Sequence, residues 1–241
     1  MIIFGKNPVL EILRINPEKV LELYIGKGVQ RKSISEIISL SRSNNISVKH
    51  LDNSEINQLC STSKHQGIAA KAKEYRYRSL MEILDSLKGK SGNKLLVLLD
   101  HIEDPHNLGA IIRTVDVLGG DAVVIPKDRS ASVNSTVVNT SAGAVNYVPV
   151  AMEVNLTAVI TTLKKKGFWI VGADQDSEKV IEEIDTGGLD LALVVGSEGK
   201  GLSEGLKKKC DFVVKIPNTG KINSLNASVA AGILIYHLKC H

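Results

Sequence analysis

Arg113 is the residue of this sequence best suited to act on an anion. It is the one charged side chain in an apolar helical stretch that includes Ile111 and Ile112. A guanidinium among apolar neighbours needs an anionic or polar partner. That partner is either a phosphate or reacting oxygen, or a structural acid such as Asp116 or Glu198. The residues alone leave both interpretations open.

Arg113 belongs to the first of three polar, glycine-bearing clusters, which span residues 100–114, 195–202 and 216–230. Each cluster follows an apolar strand and leads into a helix, and Asn107 stands near the helix start of the first one. In open α/β sheets, ligands bind at the carboxyl ends of the strands. We therefore expect the three clusters to converge on one binding site.

The second and third clusters are ambiguous when each is taken by itself. The run GSEGKG at residues 196–201 has the spacing of neither common phosphate loop, so a glycine-rich turn is its simpler interpretation. Ser224 and Asn226 are both natural N-cap residues before a helix of small residues. Capping one helix requires only one such residue, so the second has no role as a cap. The small residues favour close packing of the helix, for instance against a second copy of the chain.

The elements that must position these clusters form two α/β domains. From residue 94 onward the strands are continuous apolar runs, typical of a parallel sheet buried on both faces, and helices alternate with them. These runs are Leu95–Leu99, Ala122–Ile125, Phe168–Ala173, Leu191–Val195 and Phe212–Ile216. Residues 1–75 alternate short strands and helices, with Asn7 as the expected first N-cap, and the polar residues 76–93 form a predicted linker.

The composition is that of a globular protein of 241 residues, with 43% apolar and 23% charged residues. The apolar runs are much shorter than the roughly 20 residues of a membrane helix, and the N-terminus lacks a secretion signal. Three widely spaced cysteines argue against a disulfide framework and favour the cytoplasm. No C-x-x-C pair or H-E-x-x-H helix suggests a metal site.

Charge is unevenly distributed along the chain. Residues 1–94 have 16 basic and 9 acidic side chains, a net charge of +7, whereas residues 95–241 have 14 and 17, a net charge of −3. A basic first part favours contact with a polyanion.

Taken together, the three clusters resemble the three motifs of the SpoU branch of the SPOUT RNA methyltransferases. Asn107, Gly109, Arg113 and Thr114 match the first motif. Residues 194–202 match the second, and residues 216–230 match the third. Residues 1–75 resemble the family's L30e-like RNA-binding domain, which opens here with GKNPV at 5–9 and closes with HQGIA at 65–69.

This resemblance implies a fold, a cosubstrate and a reaction. The fold would be an L30e-like α/β domain followed by a mostly parallel SPOUT domain with a deep trefoil knot, acting as a homodimer whose active site is completed across the interface. S-adenosylmethionine would bind along Gly196, Ile216 and Leu225, without a metal. Its methyl group would pass to a ribose 2′-hydroxyl.

The resemblance also assigns catalytic roles. Arg113 would stabilise the reacting oxygen, and Asn107 would position the ribose. Ser224 and Asn226 would hold Arg113 and the ribose phosphate, while Glu198 would pin Arg113 or its loop. The layout is similar to that of bacterial 23S rRNA guanosine-2′-O-methyltransferases, so we expect a guanosine in the peptidyl-transferase region as the target.

Three rival functions follow from the same sequence. A tRNA or other rRNA methyltransferase of the same family would share every motif. A non-catalytic RNA-binding assembly factor would have no reason to keep all five of the polar residues named above. A Rossmann-type enzyme would need a glycine fingerprint after the first strand, where the sequence has His-Ile-Glu-Asp-Pro instead.

Overall fold

The computed structural model describes residues 1–197, 199, 201–221 and 224–240. Contacts divide the chain into two compact units. Unit 1 contains residues 1–76 and 133–147, and unit 2 contains residues 77–132 and 148–241. Within the described residues, no helix is both long and apolar enough to cross a membrane.

Strands and helices alternate along the chain. The strands are β1 (Ile2–Phe4), β2 (Val20–Gly26), β3 (Ser47–Leu51), β4 (Ile68–Ala72), β5 (Leu95–Asp100), β6 (Ala122–Pro126), β7 (Val150–Glu153), β8 (Trp169–Ala173), β9 (Leu191–Gly196) and β10 (Phe212–Val214). The α-helices are α1 (Lys6–Ile15), α2 (Ser35–Ser43), α3 (Asn53–Cys60), α4 (Leu80–Ser86), α5 (Pro105–Val117), α6 (Ser135–Thr140), α7 (Leu156–Lys165), α8 (Glu204–Lys207) and α9 (Ala227–Cys240). Short 3-10 turns cover Pro17–Lys19, Arg31–Ile34, Ala144–Asn146 and Ile181–Glu183.

Unit 1 is built on a four-stranded sheet in the order β1-β4-β2-β3. The first helix begins earlier than the expected cap at Asn7, which lies inside α1. Gly5 takes the N-cap position with a φ of 87°, a left-handed conformation that favours glycine. The amide oxygen of Gln66, 60 residues away in sequence, then accepts the backbone N–H of Lys6 at 3.0 Å. A distant side chain thus replaces the local cap.

Unit 2 is built on a six-stranded sheet in the order β10-β8-β9-β5-β6-β7. Every adjacent pair of strands in it is parallel, so the predicted α/β fold with a parallel sheet is confirmed. β7 was not expected from the sequence. Residues of β5, β6 and β9 are buried on both faces, which accounts for their continuous apolar runs.

The segment predicted as a linker contains α4. Ser79 and Glu82 form a capping box, with the Glu82 backbone N–H donating to Ser79 Oγ at 3.2 Å. Leu80, Ile83 and Leu84 are buried in the same apolar cluster as strands of the large sheet. This part of the segment therefore packs as a structural element of unit 2.

Candidate functional site

The first and second clusters meet at the carboxyl ends of β5 and β9. Asp100 and Gly196 are register partners at the end of the two parallel strands. Asp100 is almost fully buried, and its Oδ2 accepts the backbone N–H of Ser203 at 3.0 Å. Its other oxygen lies 2.6 Å from Nδ1 of His101. A buried carboxylate therefore fixes the start of the loop after β5 against the end of the loop after β9.

The first and third clusters meet through two asparagines. Asn226 Nδ2 donates to Asn107 Oδ1 at 3.0 Å. Asn226 Oδ1 caps α9, since it accepts the backbone N–H of Ser228 at 3.0 Å and the Ser228 hydroxyl at 2.6 Å. One side chain thus caps a helix with its oxygen and orients Asn107 with its nitrogen.

A cavity of about 520 Å³ opens where the second and third clusters face each other. The three residues expected to bind the cosubstrate, Gly196, Ile216 and Leu225, all line this cavity. Ser224 and Asn226 line it as well. The volume falls within the range of small-molecule sites, roughly 300–1,000 Å³.

Gly196 is required by the close approach of two backbone segments. A Cβ atom at this position would lie 2.1 Å from the carbonyl oxygen of Gly201 and 2.6 Å from the backbone nitrogen of Leu202. The loop closes through a hydrogen bond from the Gly201 N–H to the Ser197 carbonyl at 3.0 Å. At Gly196 the wall of the cavity is therefore bare backbone, which a ligand can approach closely.

A second cavity, of about 460 Å³, adjoins the first. The two share Ser197 and Gly201 in their walls, and Asn107 lines the second one. Arg129 also lines it, with a φ of 50°. The Asn107–Asn226 hydrogen bond therefore joins residues that line the two cavities.

Arg113 is not among the described residues that line the two cavities. Its side chain is exposed on α5, and it forms no hydrogen bond or ion pair within the described part of unit 2. The alternative of a structural bridge to Asp116 is therefore not realised. Glu198, the other acid considered, lies outside the described residues.

An exposed apolar stripe runs along α9, which packs against α5. Val229, Ile233 and Tyr236 follow helical spacing and are 49%, 41% and 52% exposed. Val117 on α5 is 72% exposed, one helical turn beyond Arg113. The exposed surface of the two helices thus combines apolar side chains with the guanidinium of Arg113.

Asp174 is a cavity residue that sequence analysis missed. It directly follows β8, is buried, and lines the larger cavity. Its Oδ2 lies 2.7 Å from Nζ of Lys207, and this hydrogen-bonded pair raises the pKa of Lys207. The position of an acid at the carboxyl end of a parallel strand was the signal that could have identified it.

Family comparisons cover nearly the whole chain. Residues 94–236 match the SpoU rRNA Methylase family, and residues 2–78 match the domain described as RNA 2′-O ribose methyltransferase substrate binding. A Bacillus subtilis relative named as a TrmH-family tRNA/rRNA methyltransferase, YacO, is 37% identical over 236 residues. That alignment covers 98% of this chain and 94% of the relative.

Solved structures share the fold at lower identity. The SpoU methyltransferase AviRb of Streptomyces viridochromogenes, in complex with AdoMet, aligns with a TM-score of 0.81 and 22% identity over 100% of this chain and 89% of its own. An AdoMet-bound rRNA methyltransferase of Sinorhizobium meliloti aligns with a TM-score of 0.83 and 23% identity, over 100% and 87%.

Proposed function

This chain belongs to the SpoU rRNA methylase family and is an RNA methyltransferase, and we propose that it methylates the ribose 2′-hydroxyl of a guanosine in the peptidyl-transferase region of 23S rRNA. The observation that carries the proposal is that residues of all three clusters line two adjoining cavities. One cavity suits the methyl donor, and the other suits the nucleotide that receives the methyl group.

The larger cavity fits S-adenosylmethionine in size and lining. Apolar side chains such as Val214 and Leu225 suit the adenine ring, and the bare backbone at Gly196 offers polar groups for its edges. When bound there, the donor supplies an electrophilic methyl group on a sulfonium. Gly196, Ile216 and Leu225 would hold it, while the knot expected of this family would surround it.

The transfer requires that the ribose oxygen lose its proton as the new bond forms. Arginine is a poor base, because a guanidinium holds its proton strongly. The proton would therefore pass to the adjacent RNA phosphate, and S-adenosylhomocysteine would leave as the methyl group is transferred. We assign Arg113 to orienting the oxygen and stabilising its developing negative charge. Asn107, held by Asn226, would position the ribose, and Ser224 and Glu198 would restrain the groups around it.

The position of Arg113 supports a homodimeric active site. In a single chain, this residue is exposed beside an apolar stripe and lies outside the cavity walls formed by described residues. A second copy packed on α5 and α9 would bury Val229, Ile233 and Tyr236 and bring its own Arg113 to this chain's cavities. We propose that each site uses the arginine of the partner.

Residues 1–75 are the proposed RNA substrate-binding domain, and residues 94–241 the proposed catalytic domain. The net charge of +7 on residues 1–94 favours contact with the RNA backbone. Binding should therefore weaken steeply as salt increases. The proposed location is the cytoplasm, where rRNA and the methyl donor are both present.

Incubation with labelled S-adenosylmethionine and unmethylated rRNA or tRNA tests this function. We expect one 2′-O-methylguanosine in the peptidyl-transferase region of 23S rRNA, mapped by mass spectrometry. Label in tRNA alone would contradict the rRNA target. Absence of label from every RNA would favour the non-catalytic assembly factor.

A further inference from the structure

Four charged side chains among the described residues line the second cavity, and two of them bond to no other described residue. Three carboxylates line it, but Asp100 and Asp104 are already engaged. Asp100 is held by Ser203 and His101, and Asp104 Oδ1 accepts the backbone N–H of His106 at 2.8 Å as the cap of α5.

Glu103 and Arg129 remain available. Both line the cavity, and neither forms a hydrogen bond or ion pair among the described residues. The carboxylate of Glu103 can only accept hydrogen bonds, and the guanidinium of Arg129 can only donate them. A ligand that satisfies both must present two donors on one edge and two acceptors on another.

Guanine has this pattern. Its N1–H and N2 amino groups donate side by side, which suits the two oxygens of one carboxylate, and its O6 and N7 both accept, which suits a guanidinium fork. Adenine would place its N1 lone pair against the carboxylate. Uracil offers only one ring donor.

The charge of the cavity argues against a phosphate as the occupant. Among the described residues of its wall, three carboxylates outnumber one guanidinium, so they would repel an anion. A neutral base is therefore the better occupant. Its ribose would then lie near Asn107, which lines this cavity and is bonded to Asn226 of the larger one.

We propose that the second cavity receives the base of the target nucleotide and that Glu103 and Arg129 select guanine. This inference rests on the proposed methyl transfer and adds the residues that recognise the base. Glu103 would bind N1–H and the N2 amino group, and Arg129 would bind O6 and N7.

Base analogues at the target position test each contact separately. The probe is a 23S rRNA fragment of the peptidyl-transferase region with guanosine, inosine or 7-deazaguanosine at the methylated position. Inosine lacks the N2 amino group, and 7-deazaguanosine lacks the N7 acceptor. We expect the wild-type protein to show about 10-fold lower kcat/KM on either analogue than on guanosine, because each analogue loses one hydrogen bond to a charged side chain.

Each substitution should remove one preference and leave the other. Glu103→Gln should lower kcat/KM on guanosine about 10- to 100-fold and abolish discrimination against inosine, while the penalty for 7-deazaguanosine persists. Arg129→Ala should abolish discrimination against 7-deazaguanosine, while the penalty for inosine persists. Glu182→Gln, an exposed acid outside both cavities, is the matched control and should keep both ratios.

The outcomes separate this inference from the proposed function. Guanosine-to-inosine ratios that Glu103→Gln leaves unchanged would overturn the role of Glu103. Ribose methylation of a nucleotide whose base is not guanine would overturn the guanine pocket. If a guanosine in another RNA is methylated instead, the 23S target is wrong, and the same ratios are measured on that RNA. Absence of methylation in any RNA would overturn both proposals.

Discussion

At the scale of single residues, Asn226 is the side chain whose two functional groups can be tested apart. Its oxygen caps α9 and its nitrogen holds Asn107. Asn226→Asp keeps a good cap oxygen but loses the donor to Asn107. We expect methylation to fall to the level of Asn107→Ala while the thermal midpoint stays near that of the wild type, measured by label transfer and by calorimetry.

Asn226→Ala is the companion variant, because it removes both groups. It should lose methylation and also lower the free energy of unfolding by about 1 kcal/mol, the usual value for a lost N-cap. Full activity of Asn226→Asp would show that the bond to Asn107 does not matter for the reaction.

Arg113 should affect the chemical step and not donor binding. Arg113→Ala is expected to lower the rate of transfer at least 100-fold, because the developing charge on the oxygen loses its stabilising partner. The affinity for S-adenosylmethionine, measured by calorimetry, should remain within about threefold, since Arg113 is proposed to act on the ribose oxygen and not on the donor. A transfer rate within tenfold of the wild-type rate would contradict this role, because it corresponds to a change of at most about 1.4 kcal/mol in the activation barrier.

At the scale of elements, the sequence predicted the sheet of unit 2 well because its strands are buried on both faces. Leu95–Leu99 and Leu191–Val195 are apolar without interruption, and the polar clusters start where these runs stop. That pattern also predicted that the clusters converge. The position of each proposed catalytic side chain relative to the cavities depends on loop geometry, which periodicity does not contain.

Predictions failed where distant residues decide local structure. Asn7 looked like an N-cap, but Gln66 satisfies the start of α1 from across unit 1. Ser33 and Glu36 have the spacing of a capping box, yet the Ser33 hydroxyl donates to the Gln30 carbonyl at 2.8 Å within a 3-10 turn. The grouping of residues 133–147 with unit 1 is likewise a long-range property that no local pattern shows.

The loop after β9 should tolerate no side chain at Gly196. Gly196→Ala would place Cβ 2.1 Å from the Gly201 oxygen, so the loop must move and the cavity wall must open. We expect a loss of about 1–3 kcal/mol in unfolding free energy, the range for overpacked sites, and loss of S-adenosylmethionine binding by calorimetry.

Gly205→Ala is the matched control for that substitution. Gly205 lies in α8, and a Cβ there would meet no atom within 4 Å. Because alanine favours a helix, the protein should be unchanged or stabilised by up to about 1 kcal/mol. Donor binding by Gly196→Ala at wild-type affinity would show that the close approach is dispensable.

At the scale of the whole molecule, the exposed Arg113 raises the question of which chain completes each active site. If the arginine acts in trans, a dimer of one Arg113→Ala chain and one Leu225→Arg chain contains one intact site. That site combines the donor cavity of the first chain with the arginine of the second. Leu225 is 44% exposed and lines the cavity, so an arginine there would block the donor without disturbing the core.

Two differently tagged chains, co-expressed and purified through both tags, provide such mixed dimers. We expect about half of the wild-type activity per dimer, although each parent homodimer is inactive. The reciprocal dimer pairs a wild-type chain with one that has both substitutions. It should be inactive, because the intact cavity faces an alanine and the intact arginine faces a blocked cavity. Activity in the reciprocal dimer, with none in the first, would place Arg113 in the site of its own chain.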